Sequence, residues 1–239
     1  MLVKTKAIAL NYIKYSDSSI IARIYTREYG LLSFMVRGVR KRKSRFPASF
    51  FQAFTILDLD ISYKPKSNLQ SIRELSLSSR TDELHSDITK STIALFLAEV
   101  LYKTLEEEEQ DEQLFDFLTL SIEFLNSVED SYANFHLIFL LQLSKYLGFY
   151  PHSGQSNKFF NMESGSFENT PVHEHFFDEA QSDLLKALMQ TSYLERKQLQ
   201  MNASQRRALL NKLLEYYRLH LPGIGKISSL EILESVFSG

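Results

Sequence analysis

The sequence predicts an α+β chain of two domains, a small β domain over residues 1–80 followed by an all-α helical domain over 81–239. The first observation is hydrophobic periodicity, which changes near residue 80 from about two residues, typical of strands, to about 3.6 residues, typical of helices. The second is charge, because residues 1–80 carry 15 Lys and Arg against 5 Asp and Glu, whereas residues 81–239 carry 12 against 24. The overall charge of −2 therefore combines a basic half of +10 with an acidic half of −12. This asymmetry is typical of a nucleic-acid-binding part joined to a different part, although two domains that merely differ in charge would also produce it.

Composition excludes several classes of protein. The chain has 239 residues, of which 44% are hydrophobic and 23% charged, so it can bury a sizeable core and is not a disordered chain. It has no Cys, which excludes disulfides, Cys-ligated zinc, iron–sulfur clusters and a thiol nucleophile. We find no apolar run of membrane-spanning length and only a poor signal peptide at the N-terminus, so we expect a soluble cytoplasmic protein with no membrane partner.

Short apolar segments with partial alternation fill most of the first 77 residues. In segment 20–26, for example, Ile20, Ala22 and Ile24 fall on one face of a strand. Tyr29-Gly30 has the composition of a turn. Short strands at this spacing predict a small barrel or a sandwich. The predicted strands are 2–12, 20–26, 31–36, one or two within 50–63, and 69–77.

Helical periodicity begins after residue 80. Asp178-x-x-Gln181 has the form of a capping box, and Gly148 stands where glycine commonly ends a helix. Residues 151–177 are predicted as an irregular excursion with a small hairpin at about 159–167. The predicted helices are 82–105, 111–125, 131–147, 178–188, 202–221 and a short one within 228–237, and their predicted first residues are Thr81-Asp82, Asp111, Ser131, Asp178 and Asn202.

The segment 37–45, called the basic segment below, is the most informative part of the chain. Six of its nine residues are basic, and no Asp or Glu lies between Glu28 and Asp58. Cations without local anions repel one another unless a polyanion supplies the opposite charge, as a phosphate backbone does. Gly38 lets the backbone approach a ligand closely. The alternative is a solvated loop.

Aromatic residues flank the basic segment, and a basic groove with aromatic faces is how small barrels bind single-stranded nucleic acid. Each of these phenylalanines could instead be a core residue, which is the more common role of such a side chain. The flanking phenylalanines are Phe34, Phe46, Phe50, Phe51 and Phe54.

Neither a metal site nor a catalytic site is predicted. His152, His173 and His175 lie near acidic residues in the excursion, but they lack a metal-ligand framework and are expected to be surface histidines. The chain has no Walker loop, GxGxxG or GxSxG motif, and it has only 8 Gly. We therefore expect a protein that is not an enzyme and that uses no cofactor and no metal.

An ordered set of short motifs along nearly the whole chain resembles the RecO family of bacterial DNA-repair and recombination mediators. In the first half these motifs are Ala7-Ile8-x-Leu10, Tyr15-Ser16-Asp17-Ser18, Thr26-x-x-x-Gly30, Val36-Arg37-Gly38-Val39-Arg40-Lys41 with Arg45, and Phe51-Gln52-x-Phe54. In the second half they are Lys145-Tyr146-Leu147-Gly148-Phe149-x-Pro151, Arg206 and Arg207, Tyr216-Tyr217-x-x-His220-Leu221, and Ile227-Ser228-Ser229-Leu230-Glu231-Ile232-Leu233.

The resemblance implies an N-terminal OB-fold barrel before a helical domain, and a nucleoid-associated function in DNA repair and homologous recombination. It implies binding of single- and double-stranded DNA and annealing of complementary strands. With the partner RecR, such a protein helps to load RecA onto DNA coated by single-strand binding protein (SSB), whose C-terminal tail is a further partner, and a RecF-like partner is a further possibility. The acidic helical half is then the place for protein docking.

The resemblance also implies which residues contact DNA. The main candidates are Arg37, Arg40, Lys41, Arg42, Lys43 and Arg45, and the weaker candidates are Lys4, Lys6 and Lys14. Many members of the family carry a four-Cys zinc site just after the Gly-Phe-x-Pro motif, but here residues 151–177 contain no Cys. We therefore expect the packing of phenylalanines to hold this excursion, namely Phe159, Phe160, Phe167, Phe176 and Phe177.

Two other functions remain open from the sequence. A basic OB-fold protein could bind RNA, because nothing in the basic segment distinguishes a 2′-hydroxyl. An adaptor could instead use the basic segment to dock on an acidic partner such as the SSB tail.

Overall fold

The computed structural model describes residues 1–39, 44–65, 67–105, 109–152, 158–171 and 174–237. The chain forms two compact units. The first consists of Met1–Ser127 and Ile227–Leu233, and the second of Val128–Lys226 and the end of the chain from Glu234. No helix in these described ranges is both long and apolar enough to cross a membrane.

The first unit is built on an antiparallel five-stranded sheet in the order β3-β2-β1-β4-β5. Alternation explains its two faces, since Ala7, Ala9, Ile24 and Phe34 point into one hydrophobic core. A short 3₁₀ turn, Ala48–Phe51, leads from the region of the basic segment to the fourth strand and adds the buried Phe51 to that core. The strands are β1 (Leu2–Lys14), β2 (Ile20–Thr26), β3 (Gly30–Val36), β4 (Ile56–Ser62) and β5 (Ser71–Leu77).

A β-bulge interrupts β1. The pairing of β1 with β2 shifts between Ala9 and Asn11, so that Tyr12 lies opposite Ala22. An extra residue in one strand moves all later side chains to the other face. Tyr12 therefore shares a face with Ala7 and Ala9, whereas uninterrupted alternation would have grouped it with Ile8.

The sheet is open, so the predicted closed barrel is not supported. Its edge strands β3 and β5 approach each other at one isolated parallel bridge, between Phe34 and Gln70. There the Gln70 N–H donates to the Ser33 carbonyl at 2.8 Å, and the Met35 N–H donates to the Gln70 carbonyl at 3.1 Å. The architecture is an N-terminal β-sheet followed by helices, which is consistent with an OB-fold.

Two helices occupy the region that was predicted as a single helix from 82 to 105. They are α1 (Asp82–Ser86) and α2 (Ile88–Thr104). Asp87 separates them, because its carboxylate accepts hydrogen bonds from the Thr89 and Lys90 N–H groups and so starts a new helix. The third helix, α3 (Glu112–Ser127), begins as predicted, with the Asp111 carboxylate accepting from the Leu114 N–H at 2.9 Å.

Helix α3 packs on the turn between β2 and β3. The Arg27 guanidinium forms two hydrogen bonds with the Asp116 carboxylate, at 2.6 and 3.3 Å, and lies 5.7 Å from the Phe115 ring centroid. The Tyr25 ring stacks on the same Phe115, with centroids 6.1 Å apart. These contacts help to explain why α3 belongs to the first compact unit. The domain boundary expected near residue 80 stays a prediction.

In its described residues the second unit includes the helices α4 (Phe135–Tyr146), α5 (Glu179–Met189) and α6 (Ala203–His220). Both predicted capping residues, Asp178 and Asn202, form complete capping boxes. Gly148 follows α4 with a φ of +82°, as predicted for a glycine that ends a helix. The prediction that Ser131 begins α4 is wrong, because Ser131 has a φ of +57° and the helix starts after Asn134.

The last helix is α7 (Leu230–Phe237). The residues just before it are capped by Glu99, which belongs to helix α2. The Glu99 carboxylate accepts hydrogen bonds from the Ser228 and Ser229 N–H groups at 2.9 and 2.7 Å, and also binds Lys103 at 3.1 Å. Burial raises the pKa of Glu99, but these hydrogen bonds outweigh burial and hold it below its usual value.

Candidate nucleic-acid interface

The basic segment begins at one end of the sheet. Lys14 pairs with Ile20, and Ile20 pairs with Val36, so these three residues form the last row of β1, β2 and β3. Arg37 follows directly and is exposed. The Val39 N–H donates to the Ser18 carbonyl at 2.9 Å, which attaches the start of the basic segment to the turn between β1 and β2.

This end of the sheet is basic. Lys14 lies 3.6 Å from Asp17, and both side chains are strongly exposed, so solvent weakens that ion pair to well under 1 kcal/mol. Within the sequence from 12 to 20 and from 36 to 39, Asp17 is the one carboxylate. Arg40, Lys41, Arg42 and Lys43 lie outside the described residues.

Arg45 stands at the other end of the basic segment. Its guanidinium lies 5.3 Å from the Phe46 ring centroid and 3.8 Å from the Glu74 carboxylate on β5. The Arg45 side chain remains 69% exposed. The ion pair thus holds Arg45 only weakly.

Lys4 and Lys6 lie in a different electrostatic environment. They pair across the sheet with Asp60 and Asp58, so each lysine shares a face with a carboxylate directly opposite. Glu28 and Glu74 line the same groove, which therefore has more carboxylates than lysines. Lys4 also stands ten residues before Lys14, which is about 30 Å along a strand. Lys4 and Lys6 remain predictions, and they are the weakest of the nine candidates.

The phenylalanines near the basic segment pack in the core. Phe34, Phe51 and Phe54 are fully buried, and Phe46 and Phe50 are partly buried against the same core cluster. A buried ring cannot stack on a nucleic-acid base, so the three fully buried residues confirm the alternative of core packing.

Two tyrosines that the sequence reasoning did not select have the exposed rings. Tyr12 is 43% exposed and Tyr15 is 64% exposed, and both lie at the basic end of β1. The sequence offered one signal for Tyr15, because it precedes Ser16-Asp17-Ser18, a polar turn composition. No sequence signal revealed the bulge that changes the face of Tyr12.

The excursion after α4 has an aromatic core of its own. Strand β6 (Phe159–Asn161) pairs with β7 (Ser166–Glu168) and with β8 (Phe176–Phe177), so the predicted hairpin is confirmed and extended by a third strand. Phe160 is fully buried, and its ring centroid lies 5.1 to 5.3 Å from those of Phe167, Phe177 and Tyr216.

Hydrogen bonds attach this hairpin region to α6. The Tyr216 hydroxyl donates to the Phe149 carbonyl at 2.6 Å, and burial raises the pKa of Tyr216 to about 12, so the donor proton is retained. His220 Nε2 lies 2.9 Å from the Met162 carbonyl oxygen. Within the described parts of the chain, no group of three or more His, Asp or Glu could hold a metal ion. His173 is outside those parts, and His175 lies 3.4 Å from Glu215.

Comparison with known proteins agrees with these features along the whole chain. The family models described as "Recombination protein O N terminal" and "Recombination protein O C terminal" match residues 1–80 and 85–230. The chain belongs to the RecO family. RecO proteins take part in DNA repair and recombination, as the resemblance implied.

Individual RecO relatives match over their full length. A DNA repair protein RecO from Azobacteroides pseudotrichonymphae is 37% identical over 240 residues, which cover 99% of this chain and 100% of that protein. A protein of the same name from Flavobacterium psychrophilum is 37% identical over 241 residues, with both chains covered completely. The RecO protein of Bacteroides fragilis is 36% identical over 244 residues, covering 99% of this chain and 100% of the relative.

Proposed function

We propose that this RecO-family chain binds single- and double-stranded DNA through the basic segment and anneals complementary strands. In this proposal it also helps RecR to load RecA onto SSB-coated single strands, and it performs no catalysis of its own. The observation that supports the DNA-binding step is the position of Arg37, the first residue of the basic segment, which directly follows Val36 in the last row of the sheet, the row that also contains Lys14. Basic residues therefore lie together at this end of the sheet, where Asp17 is the one carboxylate in the local sequence.

The proposed binding element is an OB-type barrel. OB-folds are five-stranded and partly open, and they bind oligonucleotides with strands 2 and 3 and with the loop between strands 1 and 2. The order β3-β2-β1-β4-β5, with the parallel approach of Phe34 to Gln70, supports this assignment. The basic segment extends β3 beside the β1–β2 turn, where an OB-fold would hold its ligand.

Annealing follows from the charge distribution. Two complementary strands repel each other, and a cationic segment that neutralises phosphates on both lowers that repulsion. The described residues near the basic segment offer no helix suited to a major groove, so binding should depend little on sequence. The acidic second half would repel DNA, which supports protein docking there.

Salt-titrated binding tests the proposal. Bare single-stranded DNA, the matching duplex and RNA of the same sequence would be bound to the full chain between about 0.05 and 0.3 M salt. Annealing of complementary DNA strands would be followed with and without SSB. We expect binding of both DNA forms with an affinity that falls steeply with salt, and faster annealing than without the protein. Strong preference for RNA would favour the RNA-binding function instead, and failure to bind bare DNA together with binding of the SSB tail would favour the adaptor.

A further inference from the structure

Two exposed tyrosines beside the basic segment form an unusual surface. Among the phenylalanine and tyrosine side chains in the described residues, Tyr12 and Tyr15 are those more than about one third exposed. Exposed aromatic rings of this size are common at binding surfaces, where they become covered by a ligand.

Backbone contacts fix where both tyrosines leave the chain. Tyr15 begins the turn between β1 and β2, in which the Tyr15 and Ser16 N–H groups both donate to the Ser19 carbonyl, at 2.9 and 3.1 Å. Tyr12 lies in β1 opposite Ala22, lines a groove with Phe51 and Gln52, and remains 43% exposed. Backbone positions that are fixed before binding reduce the entropy lost when a ligand binds.

The tyrosines adjoin the start of the basic segment. Ser18, in the same turn as Tyr15, accepts the hydrogen bond of 2.9 Å from the Val39 N–H. Lys14, between the two tyrosines, shares its row with Val36, which precedes Arg37. Basic side chains that can bind phosphates therefore lie near aromatic rings that can stack on bases. Single-strand-binding proteins use this combination.

We propose that Tyr15 and Tyr12 stack on unpaired bases of single-stranded DNA. This inference rests on the proposed function, and it assigns the stacking to these tyrosines rather than to the phenylalanines, which are buried. Alternation places Tyr12 on one face of β1, whereas Tyr15 lies in the turn at the end of that strand, so the two rings can contact different bases of a DNA strand that passes around this end of the sheet. Duplex DNA would not use them, because its bases are already stacked on one another.

The test separates base contacts from phosphate contacts. The variants are Tyr12→Ala, Tyr15→Ala, the double alanine variant and the double phenylalanine variant, with Leu2→Ala as the control. Leu2 is 66% exposed at the opposite end of the same strand. Each protein would be titrated with a single strand of about 15 nucleotides, with an abasic strand of the same length and with a duplex.

We expect the double alanine variant to bind the base-bearing strand at least about fivefold more weakly than the parent chain. It should bind the abasic strand and the duplex as the parent does, and its dependence of affinity on salt should be unchanged because no phosphate contact is lost. The double phenylalanine variant and Leu2→Ala should bind like the parent. Unchanged duplex binding and an unchanged melting temperature show that the variant is folded.

Three results would overturn the inference. The first is unchanged affinity of the double alanine variant for the base-bearing strand. The second is an equal loss for the abasic strand or the duplex, which would mean that the tyrosines position phosphates. The third is a parent chain that binds none of the three ligands, which would refute the proposed function itself. A strand carrying 5-iodouracil provides a second readout, because ultraviolet light should cross-link it to Tyr15 or Tyr12.

Discussion

The backbone of Gly30 lies directly against the backbone of Glu109. A Cβ on Gly30 would overlap the Glu109 carbonyl oxygen, and Gly30 has a φ of +62°, a conformation that residues with a Cβ adopt with difficulty. Gly30 is thus required twice, for the turn between β2 and β3 and for the approach of the chain that precedes α3. The same approach brings Arg27 to Asp116 and helps to make the sheet and the first three helices one unit.

Replacing Gly30 with Ala should therefore destabilise the protein strongly. The strained φ and the clash with backbone together should lower the free energy of unfolding by about 2–5 kcal/mol. Urea unfolding of the full chain measures this change. Gly223→Ala is the matched control, because nothing lies within 4 Å of a Cβ there, and it should change stability by less than about 0.5 kcal/mol. Equal effects of the two substitutions would contradict the close packing of Gly30.

A buried histidine should make stability depend on pH. Burial lowers the pKa of His136 to about 3, and the nearby Arg206 guanidinium acts in the same direction. Between about pH 6.5 and pH 3 the unfolded chain then binds a proton that the folded chain excludes, so stability falls as pH decreases through this range. His136 should contribute up to about 1.4 kcal/mol per pH unit to that fall.

The substitution His136→Leu isolates this contribution. Free energies of unfolding measured from about pH 7 to pH 5, above most carboxylate titration, should fall less steeply for the variant than for the parent chain. The difference between the two slopes should correspond to about one proton. Identical slopes would mean that His136 binds its proton as readily in the folded protein as in the unfolded chain.

The aromatic cluster of the excursion should replace a metal as the source of its stability. Phe160→Ala should cost about 3–5 kcal/mol, because this fully buried ring contacts three others. Phe159→Ala, at a partly exposed position in the same strand, should cost clearly less. A chelator should leave the melting temperature of the parent chain unchanged. A stoichiometric zinc ion whose removal lowers that temperature would refute this account.

Much of the fold could be predicted from local patterns. Alternation predicted β2 to the residue, and the capping boxes at Asp178 and Asn202 were recognised because their hydrogen bonds join residues only three apart. The break at Asp87 was missed although Asp is a good capping residue, because helical periodicity continues on both sides of it. Short sequence motifs are therefore reliable where one short-range interaction decides where a helix or strand begins.

The candidate site shows where sequence reasoning ended. Charge density alone predicted the basic segment, since it needs no knowledge of distant contacts. The face on which Tyr12 lies depends on a bulge in β1, and the environment of Lys6 depends on Asp58 more than fifty residues away. Cross-strand partners of this kind are set by register, which one sequence does not reveal.

The most direct test of the account is the salt dependence of DNA binding after neutralising Arg40, Lys41, Arg42 and Lys43 together with Ala or Ser. If the parent chain neutralises about five phosphates, its log affinity for single strands should change with log salt with a slope of about −3 to −4. The variant should bind every sequence more weakly, flatten that slope by about 2–3 units and lose annealing, while its stability barely changes.

The matched control neutralises four cations of the second unit, Lys145, Lys158, Lys197 and Arg218, so that both variants lose the same charge. This control should keep the slope and the annealing activity of the parent chain. A basic-segment variant that binds and anneals at about 0.15 M salt as well as the parent would contradict the account, because the basic segment would then be only a solvated loop.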